Sequence, residues 1–153
     1  MYIAQKIIPV KVYGRIITAC LILLCANLAL PQTTNAQTAL TLTETFEEAE
    51  RLFYASELER SYALFNSLSN RLCRSENYSE LCVRSYIYRG TINRYDRNFD
   101  KAVDYYEKAE NEAISKLAVG HELFVDLYVQ RVYLSEEKND LEGAKKWVEK
   151  IDE

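Results

Sequence analysis

The chain has 153 residues, room for one domain or a short repeat array. Beyond residue 36 it carries 16 basic and 23 acidic side chains, a net charge of −7, with no proline and three glycines, Gly90, Gly120 and Gly143. That charge argues against generic nucleic-acid binding, which rests on neutralising phosphates. The scarcity of turn residues nearly excludes a β-sandwich or barrel.

The first 36 residues have the layout of a secretory leader. Lys6, Lys11 and Arg15 form a basic region, and Ile16 to Leu30 is a 15-residue apolar run interrupted only by Thr18 and Asn27. Pro31 ends the run, and Thr34-Asn35-Ala36 supplies small residues for a peptidase, so cleavage is expected after Ala36. The alternative is an uncleaved anchor, which would give the protein its only membrane contact. Fifteen helical residues span about 22 Å, short of a hydrocarbon core of ~30 Å. Ile17-Thr18-Ala19-Cys20 looks like a lipidation box, but Cys20 opens the apolar run instead of closing it.

The remainder, 37–153, repeats. Glu57-Leu58-Glu59-Arg60-Ser61, Asn98-Phe99-Asp100-Lys101-Ala102 and Asp140-Leu141-Glu142-Gly143-Ala144 align at spacings of 41 and 42 residues. Each opens an apolar stripe with steps of 3, 4 and 3, the signature of one helical face. The stripes are Leu58, Ser61, Phe65 and Leu68; Phe99, Ala102, Tyr106 and Ala109; and Leu141, Ala144, Val148 and Ile151. A small residue (Ser61, Ala102, Ala144) holds one register in all three and permits close helix approach. Upstream, Leu42, Phe46, Ala49 and Phe53 match Val83, Ile87, Gly90 and Arg94, then Val125, Val129, Val132 and Glu136. The spacing predicts six helices in three antiparallel pairs, near 41–56 and 58–73, 79–96 and 99–116, 120–138 and 140–152. Ser79, Asn98 and Asp140 are suited to cap helices. The units then run at about 41–73, 79–116 and 120–152. One such pair cannot bury its apolar face alone. Stacked pairs can, and the single period favours a solenoid over a compact six-helix bundle.

The second unit, with Tyr86, Gly90, Phe99, Ala102, Tyr106 and Ala109, resembles the tetratricopeptide repeat (TPR). The third keeps Tyr128, Leu141 and Ala144, and the first keeps Ala49, Leu58 and Phe65. Arg89 and Arg131 depart from the pattern, standing where that family prefers leucine. The 41–42-residue period is longer than the usual ~34 and is similar to kinesin-light-chain-like repeats and those ahead of CHAT-type peptidase domains. The resemblance implies an all-α, right-handed αα-hairpin solenoid of about three TPR-like units. It also implies that the first helix of each unit lines a groove for a peptide or partner helix. Groove-like columns hold Glu50, Phe53 and Tyr54; Arg84, Thr91, Arg94 and Tyr95; and Asp126, Tyr133, Glu136 and Glu137. Tyrosine and arginine are favoured interface anchors. The expected contact residues are therefore Tyr54, Arg84, Arg94, Tyr95, Tyr133 and Glu136, with Tyr86, Tyr106 and Tyr128 given to the core.

No catalytic residue, metal site or cofactor is expected. His121 is the single histidine, so a zincin or a second His ligand is impossible, and its Gly120-His121-Glu122 setting reads as a helix start. The acidic runs (Glu47, Glu48, Glu50; Glu136, Glu137; Glu149, Asp152) read as solvated helix faces. Cys73 and Cys82 remain beyond the leader, flanking a short turn between helix ends. An exported protein meets oxidising surroundings, so a Cys73–Cys82 disulfide is expected, with two buried thiols as the alternative. The resulting expectation is an exported, non-catalytic interaction scaffold, periplasmic or extracellular, with a protein or peptide partner. The alternatives are the N-terminal repeat segment of a larger, CHAT-type protein, or a homo-oligomer stacking through its last unit.

Overall fold

A computed structural model describes the backbone of residues 33–152 and the side chains from Thr41 onward. The leader and its cleavage site, expected over 1–36, lie outside the described residues apart from the backbone of Thr33–Ala36. The chain divides into two compact units, 1–39 and 40–153. The second carries the fold.

The described residues form six α-helices: α1 (Thr33–Tyr54), α2 (Leu58–Leu72), α3 (Ser79–Tyr95), α4 (Phe99–Lys116), α5 (Glu122–Glu137) and α6 (Leu141–Asp152), with a single 3-10 turn at Glu76–Tyr78. No strand occurs among them. The fold is all-helical. α1 begins earlier than the apolar stripe suggests, at Thr33. No described helix is long and apolar enough to cross a membrane.

Three turns join the helices within the pairs, and all three are built alike. Ser56, Arg97 and Asn139 adopt left-handed backbone with φ of 62°, 59° and 58°. At each turn the next amide reaches back to the carbonyl five residues before: Glu57 N to Leu52 O at 2.9 Å, Asn98 N to Asn93 O at 2.8 Å, and Asp140 N to Ser135 O at 2.8 Å. This is the Schellman closure, in which a left-handed residue lets the last carbonyls of a helix find donors. None of the three is glycine, so each carries a steric cost that the paired helices must offset.

Capping at the following helix differs from site to site. Asp140 accepts the Gly143 amide at 2.9 Å, as an N-cap side chain should. Asn98 holds the cap position of α4 without a side-chain bond. Ser79 is the first residue of α3 and not its cap. Its hydroxyl donates back to Glu76 O at 2.8 Å, because the 3-10 turn puts Tyr78 in the cap position.

Beyond the turns, Ser61, Ala102 and Ala144 are all buried. Ser61 Oγ donates to Ala49 O at 2.8 Å, tying α2 to α1. Gly90 of α3 lies directly against the Tyr106 ring, where any β-carbon would overlap it. That missing side chain is what lets α3 and α4 approach so closely. Phe65 and Tyr106, equivalent in the two units, are fully buried. Each such side chain contributes roughly 1.5–3 kcal/mol of transfer free energy.

α3 packs on α4, α5 on α6, and α2 and α4 each on the helix that follows, while α3 also touches α5. Two apolar clusters result. One joins Leu42, Phe46, Phe65, Leu68 and Leu72 to Cys82 and Ile92. The other joins Val83, Ile87 and Tyr106 to Leu123, Leu127 and Leu134.

The third unit departs from the expected register. Its buried face on α5 is Leu123, Leu127, Arg131 and Leu134, whereas Val125 is exposed and Glu136 faces solvent. In α6 only Ala144 is buried, and Leu141 and Val148 are 75% and 47% exposed. The stripe Leu141–Val148 corresponds to residues that the next pair covers in the first two units. In the third unit no described element covers it.

Candidate functional site

The first helices of the three units, α1, α3 and α5, share one cleft of about 370 Å³. α1 contributes Phe53 and Tyr54, α3 contributes Arg84, Tyr88 and Tyr95 among others, and α5 contributes Asp126, Val129 and Gln130. Aromatic rings dominate one wall. Phe53 meets Tyr54 edge-on with ring centroids 5.5 Å apart, Tyr95 in parallel at 6.1 Å and Tyr88 at 4.9 Å. Tyr54 and Tyr95 remain 75% and 52% exposed, which is unusual for rings gathered into a cluster.

Three of the six expected contact residues, Tyr54, Arg84 and Tyr95, line this cleft. Arg84 is not free there. Its guanidinium is ion-paired with Glu50 and lies 5.2 Å from the Phe46 ring centroid. The same Glu50 oxygen accepts the Tyr88 hydroxyl at 2.8 Å. Burial, together with Tyr54 and the Glu50 charge, pushes the Tyr88 phenol far above its ordinary pKa, so it stays a donor.

The other three lie off the cleft. Arg94 is buried, ion-paired with Glu137, and sandwiched between the rings of Tyr95 and Tyr133 at 4.8 and 5.4 Å. It holds α3 to α5 and offers no free charge. Tyr133 is half-exposed beside it, and Glu136 is exposed.

Two further arginines, Arg89 and Arg131, organise the junctions between units. They occupy one repeat column, and both are buried. Arg131 donates to Glu110 at 2.8 Å and lies 4.4 Å from the Trp147 ring centroid. Glu110 also accepts from Lys150 at 3.0 Å and from Tyr128 at 3.3 Å. Burial lowers the Arg131 pKa against the opposing pull of Glu110, and Lys150 is raised by its bond to the same carboxylate. Burial and the Glu110 charge push the Tyr128 phenol up.

Arg89 has no acid. Its donors go to Ser69 Oγ at 2.8 Å, Asn66 Oδ1 at 2.7 Å and Tyr105 OH at 2.6 Å, and its guanidinium lies 4.1 Å from the Tyr105 ring centroid. Tyr105 in turn shares a hydroxyl–hydroxyl bond of 2.8 Å with Tyr62. Burial raises the Tyr62 phenol, but the bonds from Tyr105 and Arg89 and the Arg89 charge outweigh it and hold the group below its ordinary value. Tyr105 moves the other way, raised by burial and by its bond to Tyr62. The sequence marks both arginines only as departures from a leucine column. The aromatic residues that accept them lie one helix away, at separations that spacing does not reveal.

Cys73 and Cys82 are joined by a disulfide, with Cα atoms 5.0 Å apart. Cys73 caps the C-terminus of α2 and Cys82 sits in the first turn of α3. His121 is the N-cap of α5, accepting the Leu123 amide on Nδ1 at 3.3 Å, with Nε2 3.1 Å from Glu80. No group of three or more metal-ligating side chains is found among the described residues. Comparison with protein families, with characterised proteins and with solved structures gives no match.

Proposed function

We propose that this chain is an exported, non-catalytic interaction scaffold of the tetratricopeptide type, binding a protein or peptide through the cleft of α1, α3 and α5. One observation carries the reading: a single cleft draws its walls from the first helix of every unit and leaves the Tyr54 and Tyr95 rings open to solvent. Large aromatic surfaces held by neighbouring rings lose little entropy on docking, which is why they anchor interfaces. The solenoid assignment draws support from the identical turns at Ser56, Arg97 and Asn139 and from the shared burial of Ser61, Ala102 and Ala144. Export draws support from the leader layout and from a disulfide suited to oxidising surroundings.

The test is the double variant Tyr54→Ala/Tyr95→Ala in its native host, crosslinked and recovered. Native circular dichroism with loss of the wild-type partners is expected. Unchanged recovery of every partner would remove the cleft from consideration. N-terminal sequencing checks export, with Gln37 expected as the first residue of the processed protein.

A second reading, self-association through the last unit, is favoured by the exposed Leu141 and Val148. Light scattering over a concentration series decides it. Growth in mass that Val148→Lys abolishes supports self-association, and a monomer at all concentrations ends it.

A further inference from the structure

The charges around the cleft specify the chemistry of its occupant. This inference rests on the docking role proposed above. Both arginines near the cleft are committed: Arg84 to Glu50, and Arg94 to Glu137. Each guanidinium charge is thereby balanced by a carboxylate of the protein itself. Asp126 on α5 is different. It lines the cleft, it is exposed, and no described side chain pairs with it. The same cleft is lined by the ring cluster of Phe53, Tyr54 and Tyr95. Ring faces attract cations and repel anions, because the aromatic quadrupole is negative above the plane. Beyond the leader the chain is also net acidic, so the long-range field draws positive charge toward it.

We infer that the cleft accepts a lysine or arginine side chain from an extended peptide segment. Its cationic head bonds to Asp126, while a neighbouring side chain of the same segment packs on Tyr54 and Tyr95. The stem of either residue covers apolar surface while its head stays polar, which suits a cleft lined by both rings and an unpaired carboxylate. An acidic peptide meets the reverse situation: an unpaired carboxylate, an arginine whose charge Glu50 already balances and the negative faces of the rings.

The experiment pans the full-length chain, held in mild detergent, against a random-peptide phage library. The Tyr54→Ala/Tyr95→Ala variant serves in parallel to identify binders that need the cleft. Those binders are expected to be enriched in lysine and arginine. Each should lose about tenfold in affinity on Asp126→Asn, a charge-assisted bond's worth. Each should also weaken as salt is raised. Asp126 and both tyrosines are exposed, and circular dichroism of each variant verifies the fold. Cleft-dependent binders rich in Asp or Glu, or indifferent to Asp126→Asn, overturn the basic-peptide inference and leave the docking cleft standing. If no binder depends on the two tyrosines, both readings fall.

Discussion

The two junctions between units use one frame and hold it by different physics. Arg89 at the first junction and Arg131 at the second are equivalent and equally buried. Arg131 faces Glu110, but the corresponding position at the first junction is Ser69, so Arg89 bonds only neutral oxygens. The first junction also has a covalent tie, Cys73–Cys82. The positions matching those cysteines at the second junction are Ile114 and Phe124, which line an apolar groove instead. One junction is stapled and rests a cation on tyrosines. The other is unstapled and ionic. Both buried arginines rest on an aromatic face, and they differ in their acceptors: neutral oxygens for Arg89, a carboxylate for Arg131.

The sharpest way to break the comparison is Glu110→Ala. It strips Arg131 of the acid it is bonded to and leaves a buried charge without its ion pair, which typically costs about 3–5 kcal/mol. Urea unfolding followed by circular dichroism should show that loss, and an effect below ~1 kcal/mol would mean the second junction is not ionic in the sense described. Reducing the disulfide acts on the other junction. For so short a loop the chain-entropy relation predicts a loss of about 2–3 kcal/mol, which Cys73→Ser/Cys82→Ser should reproduce. Asn66→Asp then makes the first junction resemble the second, by putting a carboxylate oxygen where Arg89 already donates at 2.7 Å. Asn66 is exposed, so a gain of only about 1 kcal/mol is expected at neutral pH. The sign with pH is fixed. The cation lowers the new carboxyl's pKa in the folded state, so the gain is present above the unfolded pKa and vanishes as pH falls through the folded one. The smallest effect tests what the units share: Ser56→Gly relieves a left-handed non-glycine residue and should raise stability by roughly 0.5–1 kcal/mol.

Much of the helical layout was legible because it depends on local spacing. The helices 58–72, 79–95 and 99–116 follow from apolar steps of 3 and 4, and the turns fall where those stripes break. Burial was less legible, because it depends on what lies opposite. Val148 carries the same periodic signal as Phe65 and Tyr106, yet it is half-exposed while they are fully buried. Arg94 shows the same limit. A groove column placed it among contact residues, but Glu137, 43 residues away, claims it across α3 and α5. Asp126 was visible as one member of a groove column, and its importance emerges only when the neighbouring arginines are seen to be occupied. The cysteine pair could be anticipated because its geometry is set by two helix ends and one short turn.

The chain has one tryptophan, and it lies where Arg131 and Tyr128 meet, 4.4 and 5.8 Å from its ring centroid. The sole strong natural fluorophore is therefore placed at the ionic junction, while the stapled junction releases two titratable thiols when it is reduced. Emission and thiol counting, followed together in one cuvette, separate the loosening of the two ends of the repeat without a single introduced label.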